Sequence, residues 1–200
     1  MNKEFWDERF ASQEYAYGKQ GSQFVKSQLE QLKPGKLLLP AEGEGRNAVT
    51  SALQGWEVTA FDISEEGRRK AMLLADDAGV QIEYELKGFD TFEAEAESFD
   101  AVALVYAHTF PEVRNAYHRK LIGFLKPGGT LILEGFSKEQ FGKPSGGPKV
   151  LEMLFDEEML MSDFGDLLTD IRIEKVSQLL DEGTYHQGEA SLIRLVGKKR

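Results

Sequence analysis

A short apolar run, Leu37-Leu38-Leu39, leads into Gly43 and Gly45, and a helical spacing of apolar residues starts at Arg46. A strand that ends in a glycine turn before a helix lets backbone approach a ligand closely and aims helix N–H groups at it. Asp62 follows Gly45 by 17 residues, at the end of the next apolar stretch, Trp56 to Phe61. A carboxylate there can accept the two hydroxyls of a ribose, one on each oxygen. The set points to a nucleoside-containing ligand. A tight turn with no ligand, and a nicotinamide dinucleotide, remain alternatives on these residues alone.

Groups able to take a proton are few. They are His108, His118 and His186, with Tyr106 and Glu134 at expected strand ends. His108, just past an apolar run from Phe99 to Val105, is the best placed. His118 falls in a helical pattern and is expected in solvent, and His186 falls in a turn. There are no cysteines, hence no thiolate metal site and no cysteine nucleophile. Clustered Asp/Asn ligands for a divalent cation are also missing, so no metal is expected.

These residues need a scaffold, and the pattern supplies one by alternating strand and helix, as a mostly parallel sheet requires. Ser64 is a candidate N-cap, with Glu65 and Glu66 in the first helical turn. Ala71, Leu74, Ala75 and Ala78 mark the buried stripe of that helix, which stops near Gly79. Val80 to Leu86 alternates as a third strand. Val113, Tyr117, Leu121 and Phe124 line a further helix, Lys126-Pro127-Gly128-Gly129 is turn chemistry, and Thr130 to Leu133 is the next strand. Residues 136–148 carry glycines and prolines and form a long loop, the kind that is more often functional than filler. Asp156 caps a short helix. Two strand-like runs, Thr169 to Leu180 and Ala190 to Val196, have no helix between them and pair as an antiparallel hairpin.

The 200 residues are expected to form one domain, with 1–30 covering a core of 36–200. A formal net charge of −10 with scattered Lys and Arg argues against nucleic acid. No apolar run approaches the ~20 residues of a membrane span, and no signal peptide is visible. A cytoplasmic protein, monomer or homodimer, is expected.

The stretch Leu37 to Ala48, with Val58-Thr59-Ala60-Phe61-Asp62-Ile63-Ser64, resembles class I S-adenosylmethionine-dependent methyltransferases. Within them it looks most like the small-molecule branch of tellurite-resistance and thiopurine methyltransferases. Gly88-Phe89-Asp90, Phe99 to Val102 and Leu125 to Thr130 match the later motifs in order. The resemblance implies a Rossmann-like α/β fold: seven strands in the order 3-2-1-4-5-7-6, the seventh antiparallel, helices on both faces. It implies S-adenosyl-L-methionine as cofactor, S-adenosyl-L-homocysteine as product, and a small-molecule acceptor such as a thiol or metalloid species. Gly43 and Gly45 would pass under the methionine moiety, beside Arg46 and Asn47. Asp62 would hold the ribose, Ile63 would pack on adenine, and Asp90 would meet its amino group with Phe89 or Thr91 beside the ring. Tyr106 would stand between cofactor and acceptor; His108, from its position after the apolar run, is the candidate base. Tyr17, in the cover, would close over the cofactor, and Phe141 in the long loop would face the same pocket.

One departure stands out. The family usually has an acid where Leu39 stands and a glycine at Ala41. Either Glu42 reaches the methionine ammonium from a reshaped turn, or the cofactor binds differently. A noncatalytic sensor of the cofactor and a protein methyltransferase are the competing functional readings.

Overall fold

A computed structural model describes residues 2–200. Seven strands form one sheet in the order β3-β2-β1-β4-β5-β7-β6. They are β1 (Lys36–Pro40), β2 (Glu57–Asp62), β3 (Glu83–Leu86), β4 (Phe99–Val105), β5 (Leu125–Phe136), β6 (Leu168–Glu182) and β7 (His186–Lys199). All neighbouring pairs are parallel up to β5, and β7 runs antiparallel to both β5 and β6. The fold expected from the motifs is the one observed.

Strand residues alternate between two cores because successive side chains point to opposite faces. Leu37 and Leu39 of β1, with Ala101, Ala103 and Val105 of β4, pack against α2 (Gln23–Leu29), α3 (Arg46–Leu53) and α4 (Glu65–Asp77). Leu38, Val102 and Leu104 face the other way, onto α5 (Pro111–Phe124) and α6 (Glu157–Phe164). Ser64 caps α4 by accepting the Gly67 N–H, and Asp156 caps α6 by accepting the Met159 N–H. The remaining helix, α1 (Lys3–Phe10), lies over the start of α4. There Asp7 accepts the Ser64 hydroxyl at 2.6 Å.

Some bounds shift. The third strand begins only at Glu83, so Val80 and Ile82 lead into it, and Ala78 is exposed at the end of α4. The Lys-Pro-Gly-Gly turn sits inside β5. Phe99 pairs with Leu125 and Ala101 with Thr130, so the intervening residues loop out, with Gly128 at φ 76°. The loop after β5 contains a 3-10 turn at Lys138–Gln140, and a second such turn spans Leu151–Met153. Among the described residues, no helix is long and apolar enough to cross a membrane.

The hairpin does more than complete the sheet. Leu192 of β7 faces Phe136, the last residue of β5, yet β7 begins six residues earlier at His186. At ~3.3 Å per residue the pair overhangs the carboxyl edge by about 20 Å. Its tip docks on the N-terminal segment, where the Tyr185 N–H donates to Ala16 O at 3.3 Å.

Candidate functional site

The carboxyl ends of the parallel strands open into a cavity of about 860 Å³. This is the edge at which open α/β sheets bind ligands. Its two halves have different chemistry.

The first half lies beyond β1, β2 and β3. Asp62 closes β2 and is buried. Its Oδ2 accepts the Gly43 N–H at 3.1 Å and its Oδ1 accepts the Ser64 N–H at 2.8 Å. Each oxygen keeps a lone pair for a further donor, which is what a ribose diol needs. Burial pushes its carboxyl up to about 6, against the pull of those two donors. Gly43 has φ 58°, and a Cβ there would come within 3.0 Å of Phe10. Ile63, Phe89 and Tyr117 give the cavity an apolar wall. Phe89 is fixed by stacking on Tyr117 with ring centroids 5.3 Å apart. Asp90 lies at the exposed rim.

Glu42, which lines the cavity, is bonded within the turn. Its Oε1 accepts the Asn47 and Ala48 N–H groups at 2.7 and 2.8 Å, and its Oε2 accepts Asn47 Nδ2 at 3.1 Å. The residue at the N-cap of α3 is Gly45, which has no side chain to cap with, so Glu42 satisfies those orphan donors from the preceding turn. Its carboxyl is pushed up to about 7 by burial. The turn still needs a left-handed residue at position 41, and Ala41 adopts it with φ 52°.

Gly45 does not line the cavity. It has φ 84°, and a Cβ would lie 2.5 Å from the Ala71 side chain, so its role is the close approach of α3 to α4. Thr91 also stays out of the cavity; its hydroxyl accepts the Gly88 N–H at 2.9 Å. Asn47 and Arg46 line the cavity but act as struts. Asn47 Oδ1 accepts the Ser22 N–H at 2.9 Å. The Arg46 guanidinium donates to Tyr17 O, Gln20 O and Glu182, tying the N-terminal segment to the hairpin.

The second half lies beyond β4, β5 and β7. Tyr106 follows β4 with φ 53°, a strained conformation for a bulky residue. Its ring contacts Phe136 and His186 at centroid distances of 4.8 and 4.7 Å. Its buried hydroxyl has no partner among the described residues, and burial raises the phenol well above its ordinary range. Tyr17 reaches the same place from the cover, 4.5 Å from the His186 ring, with its hydroxyl accepting from Arg9 at 3.1 Å.

The histidines do not follow the order expected. His108 lines the cavity, but Nδ1–H donates to Met153 O at 2.8 Å and Nε2 accepts the Phe136 N–H at 3.0 Å. Burial holds its pKa down to about 4. Both nitrogens are spent on the fold, so no lone pair is left for an acceptor proton. His118 is buried, not solvated: Nδ1–H donates to Asp163 at 2.8 Å, and its ring stacks on Phe164. Glu134 lies outside the cavity, buried against Arg194 at 2.9 Å and the Ser22 hydroxyl. Phe141 points to solvent at 53% exposure and does not line the cavity.

His186, a candidate base expected in a plain turn, is enclosed instead. It stands at the start of β7 with 5% exposure, packed by Tyr17, Tyr106 and Phe136, and Nδ1 meets Glu182 at 3.2 Å. A Tyr-His pair between Gly183 and Gly188 reads as a turn. The overhang of a hairpin longer than its partner strand was the available signal.

Residues 40–129 match the family model described as a methyltransferase domain. A curated ubiquinone biosynthesis O-methyltransferase from Xanthomonas axonopodis pv. citri (strain 306) is 33% identical over 97 residues, 48% of this chain and 41% of that protein. The chain spans less than half the length of the curated relatives it matches. A solved structure concerned with conversion of a disulfide bond into a thioacetal group during echinomycin biosynthesis superposes with TM-score 0.78 at 19% identity, over 98% of this chain and 91% of that one. The 1,6-didemethyltoxoflavin-N1-methyltransferase of Burkholderia thailandensis, solved with 1,6-didemethyltoxoflavin and S-adenosylhomocysteine, superposes with TM-score 0.62 at 20% identity, over 88% and 75%. Residues 40–129 thus resemble the methyltransferase domain family, and the chain has the fold of the solved methyltransferase on which it superposes.

Proposed function

We propose that this chain, as one domain, transfers the methyl group of S-adenosylmethionine to a small-molecule acceptor. The observation that carries the reading is Asp62: a buried carboxylate at the end of β2, one backbone donor on each oxygen, facing a cavity beside the bare backbone of Gly43. The cofactor supplies an activated sulfonium methyl, so transfer asks mainly for alignment and dry surroundings. Asp62 holds the ribose, Ile63 and Phe89 flank the adenine with Asp90 at its edge, and the turn 41–44 borders the methionine end. Tyr17 and Tyr106 separate that end from the acceptor half. Glu42 serves the cofactor indirectly, by keeping the α3 N-terminus intact.

A small acceptor fits the enclosure. The cavity lies within the ~300–1,000 Å³ range of small-molecule sites, and the cover, the 136–148 loop and the hairpin bound it. A polymer needs an open groove. Phenols, thiols and metalloid oxyanions are the acceptors to try, the last two because the motifs resemble the tellurite-resistance and thiopurine branch. The chain's acidic balance fits a partner other than nucleic acid, and its lack of cysteine fits the cytoplasm.

Calorimetry tests the cofactor reading. S-adenosylmethionine and S-adenosylhomocysteine are expected to bind at one site, with NAD and ATP much weaker. Asp62→Asn is expected to cost about 1–3 kcal/mol of binding, the scale of a hydrogen bond to a charged acceptor. Undiminished affinity in a folded Asp62→Asn protein rules Asp62 out as the ribose ligand.

A further inference from the structure

We propose that His186, oriented by Glu182, is the general base that removes a proton from the acceptor, and that the acceptor is therefore a hydroxyl or thiol compound. This rests on the methyl-transfer reading and adds the acceptor's class. Three features of the hairpin carry it.

The first is placement. His186 lines the cavity in the half beyond β4, β5 and β7, away from Asp62 and the apolar adenine wall. Tyr106 and Tyr17 pack its ring, so it stands where an acceptor meets the transferable group. The second is the fate of its two nitrogens. Nδ1–H donates to Glu182 Oε2 at 3.2 Å, which leaves the lone pair on Nε2. Nε2 makes no hydrogen bond among the described residues and, unlike His118 Nε2, is not sealed from the cavity. The third is the support behind Glu182. Arg46 donates to its carboxylate at 3.1 Å, and Arg46 is itself fixed by two carbonyls of the N-terminal segment. Base, orienting carboxylate and anchoring cation form a hydrogen-bonded chain, the arrangement that fixes tautomer and direction in other histidine bases.

The charged and titratable groups facing His186 are Glu182 on β6, Arg46 on α3, Arg9 on α1, Tyr17 in the cover, Tyr106 and His108 after β4 and Tyr185 beside it. Burial is the largest influence and, with the two arginines, lowers the imidazole below its usual range, while Glu182 opposes them. The ring is neutral and basic at neutral pH. In the step itself, the acceptor's O–H or S–H proton passes to Nε2. The new bond from oxygen or sulfur to methyl forms as the sulfonium carbon–sulfur bond breaks. The cofactor leaves as a neutral thioether, and the imidazolium returns its proton to water.

Two measurements test this. Diethylpyrocarbonate attacks a histidine nitrogen that has a free, reachable lone pair. At neutral pH it is expected to label His186 and to leave His108 and His118 unlabelled, as read by peptide mass mapping of the wild-type protein. Labelled S-adenosylmethionine is then offered with a panel of phenols and thiols. His186→Gln is expected to lower kcat on the accepted compounds about 100-fold or more, as loss of a general base does. KM and S-adenosylhomocysteine affinity should stay within about two-fold, because binding does not use the lone pair. The deficit should shrink as pH rises toward the acceptor's own pKa. Glu182→Gln, which keeps the base but loses its orientation, should give a smaller loss. A wild-type protein that binds S-adenosylhomocysteine but leaves His186 unlabelled overturns the assignment, as does His186→Gln with wild-type kcat. Should His186→Gln fail to fold, the wild-type labelling decides alone. Absence of S-adenosylhomocysteine binding overturns the cofactor reading, and this assignment falls with it.

Discussion

Glu42 shows how one residue can look like a ligand and act as a cap. Its carboxyl occupies a buried site for the sake of three donors at the start of α3. Burial nevertheless raises its pKa from an ordinary 4.5 to about 7. The folded state therefore binds its proton more tightly than the unfolded chain does. Between about pH 4.5 and 7 that proton is lost on unfolding, so its contribution falls as pH rises through this window and is constant above it. Lowered carboxyls such as Asp7 run in the opposite direction, so the total profile mixes signs. The difference between wild type and Glu42→Gln isolates the group. Urea unfolding should show that difference turning against the wild type by up to about 3 kcal/mol between acid and mildly alkaline pH. A difference that does not vary with pH would show the Glu42 carboxyl to be unshifted. Spacing exposed Asp62 and Gly43, because a βαβ unit fixes where its strand ends fall. The resemblance gave Gly45 the same role as Gly43, whereas in the structure Gly45 gives clearance for Ala71; both needs leave the same glycine in the sequence. For His108 and His186 the order reversed. Sequence position gives the distance from a strand end but not which nitrogens the fold consumes.

At the level of elements, period and caps located the strands and helices α3 to α6 but not α1 or α2, and the hairpin was read from the lack of a helix between two apolar runs. Its reach was not legible, since overhang depends on where β5 stops and on what the tip lands against. Gly183 is the landing point. Its φ is 68°, and a Cβ there would lie 2.5 Å from Gly18 N, 2.6 Å from Ala16 O and 2.8 Å from Tyr17 C. All three are backbone atoms, so neither side can yield by a rotamer change. Gly183→Ala must lift the tip from the cover or strain both. We expect a loss of about 1–3 kcal/mol in chemical unfolding, the usual cost of overpacking. We also expect weaker S-adenosylhomocysteine binding, because Tyr17 and the Arg46–Glu182 tie sit on either side of this contact. Unchanged stability and affinity would mean that the tip and cover do not need each other.

Across the whole molecule, the cavity is ringed by segments held with unequal strength, and a ligand must enter past the weakest. The loop 136–148 has the glycines of a hinge, but it is fastened to β7. Gln140 Oε1 accepts the Ser191 N–H at 2.8 Å, Ser145 Oγ donates to Glu189 O at 2.7 Å, and Lys143 donates to Ser191 Oγ at 2.9 Å. Residues 11–20 are fastened too: Lys70 donates to Ser12 O and Glu14 O at 2.9 and 2.7 Å, and Arg46 to Tyr17 O at 3.1 Å. Helix α1 is held differently. It has eight residues, too few for stability on its own. Only Phe10 is buried, while Phe5, Trp6 and Arg9 line the cavity. Its docking rests on Phe10, on Asp7 at the N-terminus of α4, and on Arg9, which donates to the Tyr17 hydroxyl and lies over the Tyr185 ring. Local opening favours such sparsely packed ends. Amide hydrogen exchange with and without S-adenosylhomocysteine should therefore show slower exchange on binding in residues 5–10, with little change in residues 140–147. Phe141→Ala should leave affinity unaltered, since that ring faces water. Asp7→Ala should speed exchange of α1 in the free protein and weaken binding, by releasing the helix from α4. Equal exchange of α1 in the free and bound protein, or protection confined to 140–147, would move the entrance from the N-terminal helix to the loop after β5.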